Sequence, residues 1–484
     1  MTASDLTALL PLLVVAATSI AVLFVAAFRR HHGVAAAVTL GGLVLALLTL
    51  FMAGQNMPHP IPPLFLVDRY TLFYLGLILA TSGVITPLAY GYLDGREENR
   101  EEFYLLQLLA TLGAAVLVVS DHFAALFLGL ELLSISLYAW IAYLQRQVRP
   151  VEAGIKYLIL AAASAAFLLF GMALIYAEFG TMAFARLGPL LTDPASRGNL
   201  LVWMGIAMII TGVGFKLAVV PFHMWTPDVY EGAPAPVTAF IATVSKGAMM
   251  ALLLRLFIQF GGTQTQALVL VFSLIAAASM IVGNLLALLQ VNVKRLLAYS
   301  SIAHLGYMLV ALVASDALAV EALTFYLVAY LLTTLGAFGV VTALSATPPR
   351  EAETFEDYRG LIWYRPTLAV ILTVALFSLA GIPLTAGFVG KFYVLVTGIA
   401  AGLWPLVVLF ALNSATGLFY YLRLVVILYM PRPDDDILPA ATGVTAWSRA
   451  AGVLLMALVV LLVGLGVYPL PLMALIRHTV TALL

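Results

Sequence analysis

GVGFKLAVVPFHMWTPDVYEGAPAP, Gly212–Pro236, is the stretch that decides the fold, and Lys246 follows ten residues after it. The stretch opens inside a long apolar segment and carries Lys216, with no charged residue within ten positions on either side. Five residues on comes Pro221, which removes a backbone hydrogen bond and breaks a helix. Hydrocarbon tolerates a charged amine beside a helix break only where both face protein or water. The stretch therefore reads as a working site inside a membrane.

The rest of the chain fits that reading. Of 484 residues, 63% are apolar and only 10% are charged, against about 25% charged in an ordinary soluble domain. Mean hydropathy is +1.09. Apolar runs of about 20 residues recur from end to end, the pattern of an all-α polytopic membrane protein. The period-two alternation of a membrane barrel is absent. A net charge of zero offers nucleic acid no footprint. With no cysteine, the chain holds no disulfide, no thiolate-bound iron–sulfur cluster and no cysteine nucleophile. The first apolar segment, Leu6–Phe28, has Asp5 before it and Arg29 and Arg30 after it, so it reads as a first span and not as a signal peptide.

Fourteen spans are predicted, at 6–28, 34–53, 70–92, 103–120, 122–144, 153–178, 200–225, 235–260, 266–289, 294–314, 317–345, 362–400, 404–430 and 449–470. The twelfth stands apart. Pro366–Ala400 is too long for one straight crossing of about 20 residues, and GIPLTAG (Gly381–Gly387) sits in its middle. It reads as two half-helices joined by an unwound link. With the first connection on the cytoplasmic side, cytoplasmic connections hold thirteen cations, from Arg29 to Arg449, and the opposite side four: Arg69, Arg186, Arg197 and Arg477. This satisfies the positive-inside rule and places both termini outside. The acidic stretches Asp94–Glu102, Glu351–Asp357 and Asp434–Asp436 fall in cytoplasmic connections and read as solvated loop.

Of five lysines, Lys294 lies at a loop edge, whereas Lys156, Lys216, Lys246 and Lys391 lie within apolar spans, and Glu131 is the one carboxylate near mid-span. Each such charge costs about 2.5–3.5 kcal/mol at a helix centre. Glu131 reads as a proton carrier or as a packing partner for a lysine. Lys216 and Lys391 (in GFVGKFY) sit beside helix breaks, and Lys246 (in ATVSKGAMM) has small neighbours that admit water or another helix. Lys156, four residues after Glu152, reads equally as a snorkelling ion pair. His304 lies mid-span among Tyr299, Ser300, Ser301 and Tyr307, company that suits a relay as well as a hydrogen-bonded core histidine. His223, beside Pro221, reads as cap or relay, and Arg255 and Arg423, nearer span ends, read as snorkelling. A carboxylate that moves relative to a dry lysine switches that lysine between holding and releasing a proton, so the set forms a chain of coupled sites.

The charges repeat. Lys216 and Lys391 are 175 positions apart, each on an interrupted helix; Glu131 and His304 are 173 apart, each mid-span. The offset equals five spans, an odd number, so spans four to eight and nine to thirteen form two inverted five-helix repeats. The division is then 1–102, an N-terminal three-helix segment; 103–262, the first repeat; 263–430, the second; and 431–484, a loop and the last span.

Three stretches carry a family resemblance: GFKLAVVPFHMWTPDVYEGAPAPVTAFIATVSK (Gly214–Lys246), NVKRLLAYSSIAHLGYML (Asn292–Leu309) and LFSLAGIPLTAGFVGKFYVL (Leu376–Leu395). By them the chain resembles the antiporter-like membrane subunits of proton-pumping NADH:quinone oxidoreductase, respiratory complex I. The resemblance implies fourteen helices with the seventh and twelfth interrupted. It implies Glu131 paired with Lys216, Lys246 as a link and Lys391 in a second half-channel, all carrying protons. Within the family, the type with a glutamate at the twelfth-helix position is set aside by Lys391. The types that run on into a long helix along the membrane are set aside by the stop at Leu484. The resemblance also implies no redox cofactor on this chain, with NADH, FMN, iron–sulfur clusters and quinone on other subunits. The partners it implies are the neighbouring antiporter-like and small membrane subunits of that complex, and the location is a bacterial inner membrane. An Mrp-type cation/proton antiporter subunit is the alternative from another class.

Overall fold

The computed structural model describes residues 2–55, 57–94, 96, 99–193, 196, 198–314, 316–346, 351–431 and 446–480. Arg197, Arg350, Arg432 and Asp434–Asp436 lie outside the described residues. Among the described residues, thirteen helices are long and apolar enough to cross a membrane. With the broken twelfth span, made of Pro366–Ala380 and Ala386–Ala400, they give the fourteen that the sequence predicts. The seventh span is Leu200–Leu217, the eighth Ala235–Gln259, the tenth Val293–Ala314 and the eleventh Ala317–Leu344. A two-stranded antiparallel hairpin, β1 (His59–Ile61) and β2 (Phe65–Val67), departs from the all-helical expectation. It caps one end of the bundle, where Phe65 bridges to Ser120.

Position in the bundle follows from what each helix carries. The apolar window of the eighth span is 100% buried, that of the tenth 94% and of the eleventh 83%, against 28% for the last span, Ala446–Val467. The encased helices hold Lys246, His304 and the tyrosines of the eleventh span; the others give their apolar faces to lipid. Without a hydrophobic drive between helices in lipid, small residues let backbones close up. At the fourth–fifth crossing a side chain on Gly113 would lie 2.4 Å from the Leu133 nitrogen, and at the ninth–tenth crossing one on Gly283 would lie 2.7 Å from that of Ala303. Corresponding helices of spans four to eight and nine to thirteen thus meet in the same way.

Both interrupted spans stop in the same motif. Leu200–Leu217 ends with Ala218 in the left-handed region (φ 62), and Val219 N–H donates back to Gly214 O at 3.0 Å. Pro366–Ala380 ends with Gly381 (φ 82), and Ile382 N–H donates to Phe377 O at 2.9 Å. This is the Schellman arrangement, which satisfies carbonyls a helix end leaves free. The seventh helix therefore stops before Pro221, which lies beyond the cap as prolines commonly do. Its continuation is the short helix Trp225–Gly232, and the expected single span 200–225 ends early.

The sequence did not announce a second irregularity. The eighth span is α-helical over Ala235–Phe240 and from Lys246 onward, with a π-turn over Ile241–Ser245 between them. Such turns are rare inside helices and concentrate at functional positions.

Two loop expectations change. Glu351 is not solvated: it accepts from Lys294 Nζ at 2.5 Å, from the Ala235 N–H at 3.2 Å and from Tyr92. Lys294 itself is buried and also donates to Ala233 O at 2.7 Å. The pair ties the start of the eighth span to the 345–360 connection. The Asp94–Glu102 stretch is solvated only at Asp94, which pairs with Arg100 at the surface. Glu101 and Glu102 belong to the helix Glu101–Val119, and Glu101 is 3% exposed. Each has a buried Oε2 without a protein partner, although Glu102 also pairs with Arg30.

Candidate functional site

Lys216 occupies the last turn of the first half of the seventh span, where the negative end of the helix dipole favours a cation. It is 3% exposed. Its amine donates to Ser134 Oγ and Tyr157 OH, each at 3.0 Å, and lies 5.7 Å from the Tyr157 ring centre. Ser134 stands three residues beyond Glu131 on the fifth span, so it takes the place the glutamate was expected to fill. Glu131 is half-buried; its Oε1 has no protein partner, and no ion pair within 4.0 Å joins it to Lys216 among the described residues. The expected direct pair is thus open, and the Lys216 amine rests on hydroxyls instead.

Lys156 points the other way. It pairs with Glu152 at 2.8 Å, the i,i+4 contact the sequence offered, and with Asp228 at 3.1 Å, and its side chain is 46% exposed. Asp228 and Glu231, on Trp225–Gly232, each also bind Arg295 at 2.8 Å. Arg149, Glu152, Lys156, Asp228 and Glu231 surround a polar cavity of about 150 Å³. Tyr157, one position along from Lys156, is fully buried against Lys216. One helical step of 100° separates the surface network from the buried amine. His223 is half-buried with Nδ1 free of protein partners and makes no hydrogen bond to the lysines among the described residues.

Lys246 begins where the π-turn ends and is fully buried. Its amine donates to Ser301 Oγ at 2.6 Å, Ser301 contacts Tyr330 OH at 2.6 Å, and the Tyr230 ring lies 5.3 Å beneath the amine. The Tyr230 hydroxyl is buried without a protein partner. His304, 2% exposed, bonds through both ring nitrogens, Nδ1 to Tyr326 OH at 2.7 Å and Nε2 to Tyr421 OH at 3.1 Å. Tyr421 also meets Ser300 Oγ at 2.5 Å. Tyr307 stacks edge-on to His304 at 5.6 Å and underlies the Lys391 amine at 5.3 Å. Lys391, 5% exposed, donates to Leu379 O at 2.8 Å, Ala380 O at 3.0 Å and Ser414 Oγ at 3.0 Å.

The structure therefore buries Lys216, Lys246, His304 and Lys391, joins the last three into one polar seam through Ser301, Tyr330 and Tyr307, and leaves Lys156 and His223 at the margin. Ser300, Ser301 and Tyr307 join the seam as expected. Tyr157, Tyr230, Tyr326, Tyr330, Tyr421, Ser134 and Ser414 were missed. Tyr326 and Tyr330, at i,i+4 on one apolar helix, were the readable signal, since buried tyrosines generally need a partner for the hydroxyl. Arg255 does not snorkel: it is 1% exposed and grips Asp68 with contacts of 2.8 and 2.7 Å.

Comparison with known proteins places the seam in a family. Residues 120–417 match the family described as "NADH:quinone oxidoreductase/Mrp antiporter, TM". NADH-quinone oxidoreductase subunit N of Ectopseudomonas mendocina (strain ymp) is 51% identical over 99% of this chain and 97% of its own. A chain of respiratory complex I from Thermus thermophilus superposes with TM-score 0.80 at 36% identity, covering 96% of this chain and 98% of that one. A chain of the Mrp complex from Dietzia sp. DQ12-45-1b superposes with TM-score 0.83, covering 100% and 98%, but at 20% identity it shares the fold alone. With such identity over nearly the whole length, and with Lys391 at the twelfth-helix position, the chain belongs to the subunit N family of NADH-quinone oxidoreductase.

Proposed function

We propose that this chain translocates protons as a membrane subunit of a bacterial NADH:quinone oxidoreductase, and that Glu131, Lys216, Lys246, His304 and Lys391 carry them. One observation carries the reading: three lysine amines are buried with only hydroxyls and carbonyls as hydrogen-bond partners. An amine held by neutral groups in a dry site can exist with or without its proton, and an approaching carboxylate selects the charged form. Glu131, near Lys216 but not bonded to it, is placed to be that carboxylate. Protons gather at the cavity lined by Lys156 and Asp228, load Lys216 by way of Tyr157, and pass to Lys246. From there the Ser301, His304 and Tyr307 region leads to Lys391. His223 lines the break as a water contact.

The redox chemistry belongs to other subunits; NADH, FMN, iron–sulfur clusters and quinone have no assigned place on this chain. Its partners are the neighbouring antiporter-like and small membrane subunits of the complex. Both termini face the periplasm, as the charge asymmetry supports, and blocks 103–262 and 263–430 each supply one interrupted helix and one lysine beside it. A cation/proton antiporter of Mrp type is disfavoured, because the identity to the Mrp chain is 20% against 51% to an NADH-quinone oxidoreductase subunit N.

The test is to assemble the complex with Lys216→Ala or Lys391→Ala and measure NADH-driven proton uptake into vesicles. Loss of uptake with electron transfer retained is expected. Unimpaired uptake removes that residue from the path. Sodium-dependent exchange without any redox donor would instead favour the antiporter reading.

A further inference from the structure

At the end of the bundle opposite the Lys156–Asp228–Arg295 network lies a second buried ionic cluster that the lysine path does not use. Arg255 stands on the eighth span nine positions past Lys246, about 13.5 Å along the helix at 1.5 Å per residue. Its Nη2 donates to Asp68 Oδ1 at 2.8 Å and Oδ2 at 2.7 Å, with side chains 1% and 5% exposed. Asp68 also caps the third span, accepting the Thr71 N–H at 2.8 Å. The guanidinium lies 4.9 Å over Tyr70, whose hydroxyl donates to Ala251 O at 2.6 Å. Tyr70 packs on Tyr74 at 4.6 Å, and Tyr74 meets Thr324 at 3.0 Å. Asp121 comes in from the fourth–fifth connection, within electrostatic reach of both Arg255 and Asp68 and beside Gln259. A lid covers the cluster: Asp121 N–H donates to Leu64 O of the hairpin and Phe184 N–H to Asp121 O, each at 3.0 Å.

The cluster's polar atoms are not all matched. Arg255 Nε and Nη1, Asp121 Oδ1 and Gln259 Oε1 are buried with no protein partner. Left dry, each would cost about 1–3 kcal/mol. Two groups are donors and two are acceptors, so water bridging guanidinium to carboxylate and amide satisfies all four. Arg255 bonds Asp68 alone, while Asp121 stands in its field with a buried oxygen unpartnered, so a second carboxylate is available to it.

We propose that Asp68, Asp121, Arg255 and Gln259 hold bound water and form an ionic gate that closes this end of the first half-channel, beyond Lys246. The proposal rests on the reading that Lys246 carries a proton. With Arg255 on Asp68, both carboxylate oxygens are occupied by the guanidinium, so Asp68 cannot take a proton from the bound water. The π-turn before Lys246 lets the rest of that helix shift as a unit, carrying Arg255 toward Asp121. Asp68 is then free to take a proton that Lys246 gives up to the water.

The test uses the intact complex reconstituted in liposomes, with Asp68→Asn, Asp121→Asn and Lys246→Ala variants. Asp121→Asn removes no direct ion pair and keeps the backbone bonds to Leu64 and Phe184, so it disturbs the fold less than Asp68→Asn. The expected result is fewer protons moved per NADH oxidised in Asp121→Asn, a several-fold higher passive proton leak in Asp68→Asn, and water density within hydrogen-bond reach of Arg255 Nε or Nη1 and Asp121 Oδ1 in a high-resolution map. A pair that only staples helices would lower the yield of assembled Asp68→Asn complex and leave both the leak and the proton-to-NADH ratio at wild-type values, which overturns the gate; a dry cluster overturns it too. If Lys246→Ala abolishes uptake while both gate variants behave as wild type, the gate fails and the lysine path stands. Unimpaired uptake in Lys246→Ala overturns the path, and the gate with it.

Discussion

The two interrupted spans end alike and use their lysines differently. Ala218 and Gly381 close the same Schellman stop. Lys216 comes two residues before its stop and Lys391 ten residues after its own. Yet both amines sit at the carbonyl end of the first half-helix, because Lys391 reaches back across the link to Leu379 O and Ala380 O. The dipole end, more than chain position, sets where the charge goes. What differs is the partner. Lys391 caps the half-helix before its own and so has a structural duty, whereas Lys216 rests on two side-chain hydroxyls that can rotate away. The first amine changes partners by hydroxyl rotation alone, whereas the second must give up two carbonyl bonds to do so.

The largest expected contrast lies in how the breaks are tied down. Beyond the seventh, Glu351 and Lys294 clamp the Ala235 N–H and Ala233 O. Breaking a buried pair costs about 3–5 kcal/mol, so Glu351→Gln should lower the thermal stability of the complex more than any change at the second break. The pair also sets a pH window. Burial pushes the Glu351 carboxyl up, but Lys294, Tyr92 and the Ala235 N–H outweigh it and hold it below its ordinary value of 4.5. A lowered value means the stabilisation is complete above 4.5 and is lost as pH falls through the folded value. Melting curves should show stability lost in that acid range by the wild type, with a smaller loss in Glu351→Gln; equal losses would show that the clamp contributes nothing.

Next in size, Lys391→Met strips two buried carbonyls of their donor, at about 1–3 kcal/mol for each, while Lys216→Met strips only hydroxyls that can turn to other acceptors. Assembled yield and melting temperature should fall further for Lys391→Met; equal falls would break the distinction drawn between the two amines. Smaller again is Gly381→Ala, where left-handed backbone costs about 1–2 kcal/mol. The new methyl would also lie 2.8 Å from Lys391 Cδ and 3.3 Å from Nζ. Loss of proton uptake beyond the loss of stability is expected, because the amine must move. Ala218→Gly should change least. Relief of left-handed strain is offset by about 0.8 kcal/mol for a lost buried methyl, so its melting temperature should match wild type.

Much of this protein was legible in its amino-acid order. Fourteen crossings, two interruptions and four in-span lysines follow from the cost of charge and free backbone groups in hydrocarbon, a cost set locally by each segment. Lys156 could be weighed against Glu152 because the two lie four positions apart on one helix. Tertiary structure decided the partners. Ser134 lies 82 positions from Lys216, Asp68 lies 187 from Arg255, and Tyr421 lies 117 from His304. No local periodicity carries such pairings. A side chain's direction within its span is set by which neighbour covers it, so adjacent Lys156 and Tyr157 went to opposite fates. Arg255 looked like a snorkelling residue until the third span and the fourth–fifth connection closed over it. Hydropathy alone says that a segment crosses the membrane; packing against other helices says which of its faces is dry.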